Sequence, residues 1–355
     1  MTPAARSIST RLTWRRFVLL PGLWLLFFLL ISSVALAHVP QLTERGATLE
    51  TATVVDEPAT SWVYYGEVEK PGDVWYYRLE FTAGDRIYLQ VLTPERDAFA
   101  PSIALMGPGL VPGDQPPASV QVPDGAKAVA KAGARGEAEY EPFTPGAYFY
   151  PATIDTTAPQ DGTYYAAVFA TEGTGAFGLA IGYEERYTVP AWVRLPADLL
   201  RIYAWDGGWA ITLATGIAVL VVGACYVWWR HRRGKRKRSL SGWLAVAAGL
   251  MYLTTAATIL VQLLRAAAVT GPDVAMVVTA IFIAASLIMG ALLTWLGWRS
   301  QANAPAGPAS STTVLSRVAL FILCLAGLGL LSGYLLGPAL ALAAAVTPAY
   351  RGTGH

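Results

Sequence analysis

Four long stretches without a charged or histidine side chain decide most of what this chain can fold into. Residues 209–229, 243–264, 274–298 and 318–342 are each 21 to 25 residues long and contain no Asp, Glu, Lys, Arg or His. A helix of about 20 apolar residues crosses the ~30 Å hydrocarbon core of a bilayer, and longer ones cross with tilt. In lipid an unpaired backbone amide costs several kcal/mol, so an apolar segment of this length must be helical. The expectation is an α-helical membrane bundle of four transmembrane helices over 209–342. Only 14 % of the whole chain is charged, against about 25 % in a soluble protein.

The charges that remain are segregated. Residues 38–206 hold 23 acids and 11 bases, and the one acid elsewhere is Asp273. Residues 230–238 hold seven bases between two apolar stretches, and Arg6, Arg11, Arg15 and Arg16 precede the first apolar run. Lys and Arg gather on cytoplasmic loops, so loop 230–242 is read as cytoplasmic and residues 38–206 as extracytoplasmic. Between two membrane segments this basic run marks topology, and no nucleic-acid partner is expected. On the same rule loop 299–317 lies inside, and the tail 343–355 ends outside.

Residues 1–37 read as a signal peptide or N-terminal anchor. Val34-Ala35-Leu36-Ala37 has the small-x-small pattern of a cleavage site, and Pro21-Gly22 interrupts the apolar run. Cleavage there would expose His38 as an N-terminal copper chelate, but no second histidine follows before Asp206. Residues 189–208 form a juxtamembrane amphipathic segment in which Trp192, Leu195, Leu199, Leu200, Ile202, Tyr203 and Trp205 are interleaved with Arg194, Asp198 and Arg201. Two readings stand there: a helix lying on the outer membrane surface, and a connecting helix packed on the preceding domain.

Residues 38–188 read as an all-β extracytoplasmic domain, a jelly roll or sandwich. Strands are expected at 62–68, 74–81, 86–92, 102–106 and 148–150, and as a terminal hairpin of 162–170 with 175–183. Lys70-Pro71-Gly72-Asp73 and Ala83-Gly84-Asp85 supply turns, since proline presets φ and glycine tolerates φ > 0. Residues 107–125 contain Pro108, Pro112, Pro116, Pro117 and Pro123 and must be loop. No sustained helical period appears, and about eight strands at this spacing suit an antiparallel sandwich.

Several of these segments together resemble the bacterial pre-peptidase C-terminal domain family. They are Gly66 through Phe81 with Pro71-Gly72-Asp73-Val74-Trp75-Tyr76-Tyr77, then Ala83-Gly84-Asp85, Pro101-Ser102-Ile103-Ala104-Leu105, Asp161-Gly162-Thr163-Tyr164-Tyr165 and the stretch 173–181. The resemblance covers about 62–183. It implies a small jelly-roll accessory module linked to binding and substrate presentation, with no catalytic residues to carry over. The proline-rich insertion and the attached membrane bundle depart from that family.

The chemistry on offer is sparse. Cys225 and Cys324 both lie in apolar spans, so the outer domain has no disulfide and no thiolate site. With His38 its sole histidine, histidine-dependent triads and zinc sites are set aside. Glu137, Glu139 and Glu141 alternate and would share one face of a strand, where like charges raise each other's pKa if desolvated. Glu95, Asp97 and Asp155 are acidic turns open to calcium, without a recognised calcium spacing. Charge-free spans argue against a pump, and the absence of histidine pairs against haem. Gln262 is the main polar residue in the spans, read as interfacial. Gly329, Gly333 and Gly337, four apart, allow close helix approach, within the bundle against Gly290 and Ala291 or by self-association. No catalytic, cofactor-binding or metal-ligating residue is assigned. The leading expectation is a non-enzymatic, membrane-anchored extracytoplasmic binding or assembly module, with the bilayer and an unidentified extracytoplasmic ligand or membrane protein as partners. The alternatives are an accessory subunit of a membrane complex or permease, and a carboxylate-dependent surface hydrolase.

Overall fold

A computed structural model describes residues 38–95, 99–186, 188–234, 239–300 and 311–347. The signal or anchor segment, Asp97, the bases at 235–238 and the last eight residues lie outside the described residues. The chain divides into two compact units.

The first unit comprises Ala37–Arg233 and Leu253–Leu287. Its β part has eleven strands: β1 Val39–Leu42, β2 Thr53–Val54, β3 Trp62–Val68, β4 Val74–Phe81, β5 Arg86–Pro94, β6 Ser102–Gly107, β7 Lys127–Lys131, β8 Glu139–Glu141, β9 Gly146–Thr157, β10 Gly162–Phe169 and β11 Gly175–Ile181. They form two sheets, ordered β1-β3-β11-β5-β9-β8 and β2-β4-β10-β6-β7. Both sheets are mixed, because β1 runs parallel to β3 and β2 parallel to β4.

The period-2 alternation of the strands makes the core. Tyr77, Leu79 and Phe81 of β4, Ile87, Leu89 and Val91 of β5, Tyr164, Ala166 and Val168 of β10, and Phe177, Leu179 and Ile181 of β11 meet in one buried cluster. Successive side chains on a strand point to opposite faces, so Tyr76, Ala167 and Phe169 point the other way into a second cluster. There the proline-rich loop folds back: Val120 is buried among them, and the Gln121 amide donates to the Tyr76 hydroxyl at 2.7 Å.

The expected pairing of 162–170 with 175–183 is corrected. β10 pairs with β4 and β6, whereas β11 pairs with β3 and β5. Both strands carry a large inward face, and a sandwich buries two such faces best when they oppose each other across the core. The link through Gly173, at φ +76°, passes from one sheet to the other.

Two helices follow, α1 Val189–Trp205 and α2 Trp209–Arg233, and then α3 Leu240–Thr270 and α4 Met276–Arg299. The last three are long and apolar enough to cross a membrane. Thr188 caps α1 by accepting from the Ala191 amide, and proline occupies its first turn, where the missing N–H is not needed.

The second unit contains Gly234–Tyr252, Ile288–Arg299 of α4, and two short helices, α5 Ser311–Gly329 and α6 Leu336–Val346. The fourth span expected at 318–342 is therefore not one helix. Leu331, Gly333 and Tyr334 all take left-handed φ, at 51°, 73° and 53°, and the chain reverses. α6 runs back along α5, so that Arg317 near the start of α5 donates to the Thr347 carbonyl just past α6, at 2.9 Å. The turn wraps Tyr252, which is 0 % exposed. A Cβ on Gly333 or Gly337 would stand 2.6 or 2.7 Å from its ring, and its hydroxyl donates to the Leu323 carbonyl at 2.9 Å. A Cβ on Gly249 would lie 2.7 Å from the Gly290 carbonyl, so the small surface expected at Gly290 receives the α3 backbone.

Candidate functional site

The most elaborated polar region lies where α1, the β8–β9 edge and the Leu253–Leu287 segment meet in the first unit. Its construction begins with Trp205, the last residue of α1. Its indole N–H donates to the carbonyls of Phe177 (3.1 Å) and Gly66 (3.3 Å). Its ring packs edge-on to Tyr65 at 4.8 Å and against Tyr148 at 5.9 Å. With Val63, Leu92, Ala180 and Tyr150 these rings cover the outer face of the larger sheet. Ala191, Asp198, Ile202 and Tyr203 are buried on the same helix. The packed-helix reading of 189–208 therefore holds for one face. The opposite face leaves Val189, Trp192, Val193 and Leu200 exposed, residues that fall on one helical stripe.

β8 sits beside the first turns of α4. The Tyr140 hydroxyl donates to Thr279 Oγ1 at 2.7 Å, and that hydroxyl donates on to the Pro142 carbonyl at 2.8 Å. Phe143 and Phe282 pack edge-to-face with centroids 6.4 Å apart. Between these contacts and Trp205 lies a small cleft, lined by Glu95, Tyr148, Asp206, Gln262, Arg265 and the stretch 145–147. Arg265 donates to Gln262 Oε1 at 2.7 Å, Gln262 donates to Thr212 Oγ1, and Thr212 donates to the Gly208 carbonyl at 2.9 Å. The Asp206 carboxylate accepts from the Gly208 amide at 2.6 Å. The Tyr148 hydroxyl is buried without a hydrogen-bond partner, and burial pushes its pKa well above the usual tyrosine value.

Gln262 is 2 % exposed. Arg265, one turn on, positions it, a residue that no local pattern singles out. A buried amide flanked by a guanidinium and a hydroxyl has its hydrogen-bonding groups satisfied, as burial requires. Glu139 and Glu141 occupy alternate positions of β8 and Glu137 lies before it; Glu137 and Glu139 are exposed and Glu141 is partly buried. Glu141 accepts from the Phe143 amide at 3.1 Å. Burial pushes its pKa up to about 7, and the carboxylate that adds to this is Glu185, not Glu139. Asp155 is committed to Arg86, which donates to it twice at 2.7 and 2.9 Å. Glu95 lines the cleft. His38 Nδ1 meets Ser61 Oγ. That serine is 2 % exposed. Among the described residues no three His, Cys, Asp or Glu side chains come together as a metal site. Gly333 and Gly337 face Tyr252, while a Cβ on Gly329 would meet nothing within 4 Å.

No known family matches the chain, and no curated protein does. Among solved structures, CorA of Methylomicrobium album BG8 aligns with 38 % of this chain and 98 % of its own length, at 12 % identity and a TM-score of 0.21. CorA is described as a surface-associated copper-binding protein important in copper acquisition. A likeness of that size carries no weight for fold or function.

Proposed function

We propose that the chain is a membrane-anchored extracytoplasmic binding or assembly module that does no catalysis of its own. The observation that supports this is the double seat of the β part on the helices of its own unit. Trp205 ties α1 into the larger sheet, and Tyr140 with Thr279 ties β8 to α4. A sandwich held at two separated points keeps one orientation, which suits presentation of a surface to a partner. In this reading residues 38–206 lie outside, loop 230–242 lies in the cytoplasm, and the exposed stripe of α1 rests among lipid headgroups. Trp192 suits that level because its ring is apolar with one polar edge.

The test is affinity purification of the full chain from cross-linked membranes in mild detergent, with mass spectrometry, alongside binding assays with glycans, peptides and calcium. A reproducible partner or ligand mapping to the β part is expected. A monodisperse chain with neither would remove the proposal's support.

One observation favours the second reading, an accessory subunit of a membrane complex: only 11 % of the apolar window of α2 is buried. Cross-linking from a cysteine at Val221, an exposed position on α2, separates the two. Capture of a protein there, and not from the β part, favours the subunit reading.

A further inference from the structure

We propose that α5 and α6 form a re-entrant hairpin, so that the chain enters and leaves the bilayer on one side and its C-terminal tail shares the side of loop 230–242. Hydropathy alone reads 318–342 as a crossing, which would put the tail on the opposite side. Four observations within the second unit converge against a crossing.

The first is the reversal itself, made by three residues of left-handed φ within four positions, Leu331, Gly333 and Tyr334. The second is the meeting of Arg317 with the Thr347 carbonyl at 2.9 Å. As one straight helix those residues would stand about 45 Å apart at 1.5 Å per residue. The third is depth. From Thr347 back to the turn is about a dozen residues, roughly 18 Å of helix, which falls short of the ~30 Å hydrocarbon core.

The fourth fixes the side. Ser241, at the start of α3, donates to the Ala344 carbonyl near the end of α6 at 2.6 Å. Tyr252, eleven residues further along α3, meets the turn at Gly333 and Gly337. α3 and the hairpin therefore share both a base and a tip level, and the base is the end that follows the basic loop. Irregular backbone at membrane depth is tolerated where protein covers it. Ser332, in the turn, is 0 % exposed. The placement also gathers charge: residues 230–238, 299–317 and 347–355 then share one side, with ten Lys and Arg and no acid between them.

The test uses the full chain in right-side-out vesicles, with Cys225→Ser and Cys324→Ser as background and one new cysteine at a time. Glu172→Cys marks the outer side and Lys235→Cys the inner. A membrane-impermeant maleimide should label Glu172→Cys at once, and should label Thr353→Cys and Lys235→Cys only after permeabilisation. Immediate labelling of Thr353→Cys to the level of Glu172→Cys overturns the proposal. If a variant fails to accumulate, a disulfide between Ser241→Cys and Ala344→Cys provides the second measurement. The cross-link is expected to form on mild oxidation. Its absence, with both cysteines reactive to a permeant maleimide, counts against the hairpin.

Discussion

Glu141 shows how one side chain senses its seat. Its folded pKa of about 7 lies above its ordinary value of 4.5, so between those values the folded state holds a proton that the unfolded state has released. Stability from this group is then full below about pH 4.5, falls as pH rises towards 7, and is flat above. The whole shift is worth at most about 3 kcal/mol, reduced towards about 1 by the residue's partial contact with solvent. Glu141→Gln should flatten the pH dependence of thermal unfolding between pH 4.5 and 7 while raising stability at pH 8. An unchanged slope would remove Glu141 as its source. Trp205 is the second residue whose loss has a defined outcome. Trp205→Ala gives up two indole hydrogen bonds and two ring contacts, and about 2–4 kcal/mol of stability follows from that loss. Limited proteolysis should then cut between 186 and 209 faster than in the wild-type chain.

At the level of elements, what the sequence made legible was local. Strands β3, β4, β5, β6, β10 and β11 are runs of β-branched, aromatic and other apolar residues bounded by turn residues, a signal that any stretch of 6 to 9 residues carries within itself. The strands β1, β2, β7 and β8 are short, and their pairing depends on distant partners, such as Val39 beside Trp62; no local pattern encodes that. The broken fourth span was invisible for a different reason. Leu330, Leu331, Gly333 and Tyr334 are as apolar as the helices they separate, and hydropathy registers polarity, not direction. The glycines were visible as a stripe, but the ring that fills them lies about 80 residues away in Tyr252. That pairing is testable. Gly337→Ala places a methyl 2.7 Å from the Tyr252 ring and should cost about 1–3 kcal/mol. In a Tyr252→Ala background the same change should cost markedly less. Additive costs in an unfolding assay would mean the contact is not the cause.

For the whole molecule, charge segregation tells which parts avoid lipid, and the proposed function rests the exposed stripe of α1 on the bilayer surface, which can be measured. A cysteine at Val193 carrying an environment-sensitive dye should emit at shorter wavelength in vesicles than in detergent-free buffer standards, and spin-labelled lipids should quench it. The same dye at Glu172 should behave as in water, and equal quenching at the two sites would detach α1 from the bilayer surface. The candidate cleft was the least readable part. Its members, Glu95, Tyr148, Asp206 and Arg265, come from four separate segments, each ordinary where it stands. The return of α6 along α5 also bears on how the chain is made. In the proposed topology a translocation channel would need to export residues 38–206 and the short link between α3 and α4, but not the α5–α6 hairpin. The hairpin would instead enter the membrane laterally from the side on which its base lies, its reversal closing around Tyr252 inside protein and not against lipid.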